Sequence, residues 1–75
     1  MIQVQAFARY RGLLGFQAEA FPLPEPPTLE ALLAHPRLAP LPADALLAVN
    51  QSFAPRTAPL RDGDEVALMP PVSGG

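Results

Sequence analysis

The 75-residue sequence contains no cysteine, no tryptophan and no lysine, and it has a single histidine, His35. Without cysteine there is no disulfide framework, no thiolate metal site and no thiol nucleophile. One histidine is too few for a histidine-based metal centre. The missing lysines remove every side-chain amine, so the chain cannot accept an isopeptide bond on a side chain or form a Schiff base with a substrate. A coding bias that also favours Arg, Pro, Ala and Leu accounts for the lack of lysine, and the chemical consequence is the same. Positive charge is sparse and scattered over Arg9, Arg11, Arg37, Arg56 and Arg61, and the formal net charge is −2. No basic stripe of the kind that phosphate backbones require is present, so nucleic acid is excluded as the expected partner. No apolar run approaches the roughly 20 residues that cross a bilayer, and Met1-Ile2-Gln3-Val4 has no positive n-region or signal-peptide core. A soluble cytoplasmic protein without membrane partners is the expectation.

What remains is ordinary globular composition, 49% hydrophobic and 16% charged. A chain this short forms one domain and buries only roughly 60–65% of the surface its unfolded state exposes. It has no room for a deep, enclosed active site. Any part it takes in catalysis is expected to be that of a substrate or subunit of something larger.

Alternation over Ile2 to Tyr10 predicts a first strand, with Ile2, Val4, Ala6 and Ala8 on one face and Gln3, Gln5, Phe7 and Arg9 on the other. A short turn or helical piece at Arg11 to Leu14, stopped by Gly15, leads as a tight hairpin into a second strand over Phe16 to Leu23, whose inward face the pattern leaves open. Pro22, Pro24, Pro26 and Pro27 end that ladder. Thr28 is an N-cap candidate for an amphipathic helix of about two turns carrying Leu29, Leu32 and Leu33, ended by Pro36. Arg37 to Asp44 reads as loop. Leu46 to Val49 is predicted as a buried strand, Asn50-Gln51 as a turn, the region of Phe53 as a brief edge strand and Pro55 to Pro59 as loop. Asp62-Gly63 is a turn, and Glu65 to Met69 is the last strand. This order packs as two layers around one core. With the first and last strands central and parallel it is an α+β, β-grasp arrangement, a mixed sheet on one main short helix. The β-grasp domain spans 1–69, followed by a tail over 70–75.

The tail is the informative feature. Pro70-Pro71 stiffens the exit from the sheet toward polyproline II geometry. The stretch from Pro70 onward reaches roughly 20 Å when extended, at about 3.3 Å per residue. Gly74 and Gly75 lack a Cβ and let the backbone enter a channel too narrow for other residues. A terminal carboxylate with a pKa near ~3.5 is ionised at neutral pH. It is a poor electrophile until activated, most simply as an acyl-adenylate, after which a sulfur nucleophile can displace AMP.

Phe7 stands on the polar face of the first strand, Met69 has the opposite parity to Val66 and Leu68, and Phe53 is on the short strand nearby. Together they form a candidate partner-binding patch beside the tail, with Arg11 as a further candidate contact. His35, next to Pro36, reads as a helix-end residue rather than a base. Asp62, Asp64 and Glu65 lack the spacing of a calcium loop and read as a solvated turn.

Asp62-Gly63-Asp64-Glu65-Val66 followed by Pro70-Pro71-Val72-Ser73-Gly74-Gly75 resembles the end of the small-subunit family of molybdopterin synthase, ubiquitin-like sulfur carriers. Ala48-Val49-Asn50-Gln51, Met1-Ile2-Gln3-Val4 and Phe7-Ala8 are similar too, so the resemblance runs from first to last residue. Leu29 to Asp44 is shorter and richer in proline than usual. The resemblance implies that Gly75 is adenylated, becomes a thiocarboxylate and donates sulfur to cyclic pyranopterin monophosphate, with Pro70, Pro71, Val72, Ser73 and Gly74 as the inserted segment. It implies three partners: a large synthase subunit holding the catalytic side chains in a heterotetramer, a ubiquitin-activating-like adenylyltransferase using ATP and magnesium, and a sulfur donor enzyme. No cofactor or metal on this chain is implied. A Gly-Gly end alone also suits a carrier for thiamine thiazole or tRNA thiolation, or a ubiquitin-like protein modifier, and a plain interaction module with an inert tail is the remaining alternative.

Overall fold

The computed structural model describes residues 1–71; Val72, Ser73, Gly74 and Gly75, on which most of the tail expectation falls, lie outside the described residues. Five strands form one mixed sheet: β1 (Ile2–Ala6), β2 (Ala18–Phe21), β3 (Leu46–Val49), β4 (Ser52–Phe53) and β5 (Glu65–Met69), in the spatial order β2-β1-β5-β3-β4. Strands β1 and β5 are central and parallel, with Gln3 opposite Glu65 and Ala6 opposite Leu68, and the other pairs are antiparallel. The helices are α1 (Tyr10–Leu14) and α2 (Leu29–Leu33), with a 3-10 turn at Pro36–Leu38. This is the β-grasp, ubiquitin-like arrangement: a sheet curled over one helix layer.

Alternation decides which face is covered. Ile2, Val4 and Ala6 of β1, Phe21 of β2, Leu47 of β3, and Val66 and Leu68 of β5 are buried against Leu29 and Leu32 of α2. Each fully buried leucine or isoleucine contributes about 1.5–3 kcal/mol relative to exposure. Helix α2 is too short to be stable alone, and its first-turn N–H groups are all met by neighbours. Thr28 Oγ1 accepts from Ala31 N at 3.2 Å. The carbonyls of Ala58 and Arg56 accept from Leu29 N at 2.9 Å and Glu30 N at 2.8 Å. The 55–59 loop thus clamps the start of the helix, and it brings Leu60 into the core.

The structure corrects several boundaries. The first strand stops at Ala6, not Tyr10, because Ala8 takes a left-handed conformation (φ 53) and turns the chain into α1, which buries Tyr10 and Leu14. Gly15, at φ 83, ends that helix with its N–H on the Arg11 carbonyl, 2.9 Å. The predicted tight hairpin is therefore a connection built around α1. The second strand covers Ala18–Phe21 rather than Phe16 to Leu23, and pairs with β1 from Gln5 back to Ile2. Its inward face is the one carrying Phe21. Helix α2 is five residues rather than two full turns. Pro36 opens the 3-10 turn, in a stretch read as loop, and that turn buries Leu38. Strands β3, β4 and β5 fall where the sequence put them.

Candidate functional site

Among the described residues no helix covers one face of the sheet, and strand parity fixes what that face displays. Ala67 and Met69 of β5 point away from α2, as do Gln5 of β1 and Ala48 of β3. Beyond β1, Phe7 continues the parallel ladder by donating its N–H to the Leu68 carbonyl, 3.0 Å, which sets its ring beside the end of β5. On the other side Phe53 pairs with Ala48 across β3 and β4. The β3–β4 hairpin is made by Asn50 and Gln51, both at positive φ (50 and 71), the conformation that a two-residue hairpin loop requires.

Between these side chains lies a shallow groove of about 310 Å³, lined by Gln5, Phe7, Ala48, Gln51, Phe53, Glu65, Ala67 and Met69. Its floor is small, its rims are aromatic, and Glu65 is its one charged side chain. Phe53 is 75% exposed and Phe7 36%. A smaller hollow of about 130 Å³, bordered by Gln5, Ala6, Phe7, Arg11, Gln17 and Ala18, adjoins it. Arg11 is held there by donating from Nε to the Ala6 carbonyl at 3.2 Å. Phe7, Phe53 and Met69 thus share one groove, and Arg11 stands at the adjoining hollow. Sequence reading did not single out Ala48, Ala67 and Gln5, the floor of the groove. The signal was there in parity: Ala67 shares the face of Met69, and Gln5 that of Phe7.

Strand β5 ends at this groove. Met69 pairs with Leu46, and Pro70 and Pro71, both half-buried, follow directly. Neither proline can donate to a ladder, so the chain is released from the sheet at the Phe7 end.

Elsewhere the candidate groups have structural partners. His35 Nδ1 accepts from Arg37 N at 3.1 Å, and its ring stands edge-on to Phe21, 4.9 Å between centroids, so it caps the 3-10 turn. Arg37 pairs with Glu19 at 2.5 Å and lies over the Phe16 ring. Asp64 accepts from Asn50 Nδ2 at 3.0 Å and from Arg61 N at 2.8 Å. The Asn50 hydrogen bond, with the Arg61 backbone bond second, holds its carboxyl below the ordinary aspartate range. Asn50 Oδ1 in turn accepts from Glu65 N, tying the hairpin to the start of β5. Among the described residues no group of acidic or histidine side chains could hold a metal ion, and no helix is long and apolar enough to cross a membrane.

Comparison with known proteins follows the same geometry. Residues 4–75 match the model of the ThiS family. The chain is 43% identical to the "Molybdopterin synthase sulfur carrier subunit" of Escherichia coli (strain K12), with all of both chains covered. It is 38% identical to the protein of the same name from Chlamydomonas reinhardtii, over 99% of this chain and 98% of that one. Among solved structures, the "Putative molybdopterin converting factor, subunit 1" from Pyrococcus furiosus superposes with a TM-score of 0.83 at 30% identity, covering 95% of this chain and 97% of that chain.

Proposed function

The chain belongs to the ThiS family, and from that premise we propose that it is the sulfur carrier subunit of a molybdopterin synthase, working through Gly75. A partner adenylyltransferase transfers AMP from ATP, with magnesium, to the Gly75 carboxylate and releases pyrophosphate. A persulfide of a donor enzyme attacks that acyl carbon, a C–S bond forms and the C–O bond to AMP breaks, AMP leaving with the electron pair; a second thiol then cleaves the S–S bond of the resulting acyl disulfide, which leaves the thiocarboxylate on Gly75 and a disulfide on the donor side. The tail, Pro70 to Gly75, then enters the large synthase subunit, which holds the catalytic side chains. Two such deliveries to cyclic pyranopterin monophosphate build the dithiolene in a cytoplasmic heterotetramer. The chain itself binds no cofactor in this scheme.

The observation that carries this reading is the full-length relation to sulfur carrier subunits at 43% identity. The geometry supports it: a helix-free sheet face with two aromatic rims lies beside the point where β5 releases the tail. In the proposed complex that face, through Phe7, Phe53 and Met69 with Arg11 at its side, docks on the large subunit, while the tail reaches the reaction centre.

The test is intact mass measured after incubation with the adenylyltransferase, ATP and a sulfur donor. The expected product gains the mass difference of sulfur for oxygen, located at Gly75, and forms molybdopterin when mixed with the large subunit and the pterin substrate. Higher-mass conjugates to other proteins would instead mark a modifier, and an unchanged mass would mark an inert tail.

A further inference from the structure

An activated acyl terminus is a hazard to the protein that carries it. Any amine or thiol that meets an acyl-adenylate forms a C–N or C–S bond, the C–O bond to AMP breaks, AMP leaves with the electron pair, and the nucleophile's proton goes to solvent. These 75 residues carry no lysine and no cysteine. The five arginines offer guanidinium groups, which are not acyl acceptors. His35 has its Nδ1 engaged by the Arg37 N–H.

The amine that remains is that of Met1, and the topology sets it at the opposite end of β5 from the root of the tail. Strands β1 and β5 run parallel, so Met1 lies beside the 62–64 turn, where its carbonyl accepts from Gly63 N at 2.8 Å and its ammonium pairs with Asp62. The tail root is at the other end of β5, next to Phe7. A five-residue strand separates the two by roughly 16 Å, at about 3.3 Å per residue, so a tail of roughly 20 Å full reach meets Met1 only by reversing at its root and running back along the sheet almost fully extended.

We propose that composition and topology together leave this chain inert toward its own activated C-terminus, so that the acyl group survives until a second protein takes it. The proposal rests on the sulfur-carrier reading for its importance in the cell. It also has a consequence for any conjugation: the chain offers no side-chain amine on which a second copy could be mounted, so branched chains of it cannot form.

The test uses the full chain bearing a C-terminal thioester, generated by intein cleavage, so that no adenylyltransferase is involved. Failure of this proposal is therefore distinguishable from failure of the sulfur-carrier reading. Wild type is expected to decay to the free acid alone. Arg9→Lys places an amine on an exposed site two residues past Phe7, whose N–H is bonded to the Leu68 carbonyl, and so at the tail's end of β5 rather than the Met1 end. It is expected to yield a product one water lighter than the acid, with the amide mapped by peptide mass spectrometry to position 9. At a tail-imposed effective concentration on the order of 1 mM, against ~10 μM protein, this internal reaction should exceed acylation between chains by roughly 100-fold. Arg61→Lys, at the Met1 end, is the matched control and is expected to give at least about tenfold less. Self-adducts in wild type at a rate like that of Arg9→Lys would overturn the proposal. So would an Arg9→Lys thioester that only hydrolyses, or equal rates in the two variants.

Discussion

Replacing Phe53 by alanine separates docking from folding, and its size follows from the structure. A phenylalanine offers about 150–250 Å² of surface. With Phe53 75% exposed, roughly 150 Å² is left for a partner to cover, and the fold itself buries only about 50 Å². At about 25 cal/mol per Å² the partner-facing share is worth up to ~3.8 kcal/mol and the fold-facing share about 1 kcal/mol. Truncation keeps the Cβ, and rim groups are rarely covered completely, so Phe53→Ala should weaken binding to the large synthase subunit by about 2–3 kcal/mol, roughly 30- to 150-fold in Kd. Stability should fall by less than about 1 kcal/mol. Isothermal titration calorimetry against the large subunit gives the first number and urea unfolding followed by far-UV circular dichroism the second. An unchanged Kd with the fold intact would refute the assignment of this face to docking. A stability loss as large as the binding loss would show that the ring is part of the core.

Other consequences are equally direct. The Tyr10 hydroxyl is buried with no hydrogen-bond partner among the described residues, so Tyr10→Phe should raise stability by about 1–2 kcal/mol, the relief of an unsatisfied polar group less a small void. Calorimetry is the suitable readout, because the chain has one tyrosine and no tryptophan and the variant loses its main near-ultraviolet chromophore. Ala8→Gly should add roughly 0.5–1 kcal/mol, the left-handed strain at φ 53 less the greater freedom of glycine in the unfolded chain; a lower Tm would contradict it. The lowered pKa of Asp64 means that the unfolded carboxyl binds protons more readily than the folded one. Its contribution to stability is therefore complete above the ordinary aspartate range and lost as pH falls through the depressed folded value. Asn50→Ala, which removes the main cause, should flatten that acid-side loss in a pH series of thermal melts.

How much of this was legible without coordinates depends on what each segment's signal was. Strands β3 and β5 were readable because turn residues bracket them: Asn50-Gln51 after one, Asp62-Gly63 before the other. The groove was half-readable, since alternation puts Phe7 and Met69 on one face, but which alanines floor it follows from cross-strand register. The end of β1 was not readable. Alternation runs on through Phe7 and Ala8, and an alanine gives no warning of a positive φ. Leu38 and Leu60 lie in proline-rich stretches that read as loop. They are buried because the 3-10 turn and the 55–59 clamp fold back over α2, a tertiary effect with no local period.

The adjacency of β1 and β5 has an implication for how the molecule comes into being. The centre of the sheet joins a strand near the start of the sequence to one near its end, with the rest of the domain between them. Such a closure is entropically demanding and cannot begin while β5 is still inside the ribosome. The nascent chain therefore lacks its middle strand until β5 has emerged. Only a completed sheet gives Pro70 a fixed point of departure, so a misassembled copy could not hold out its tail as the proposed function requires.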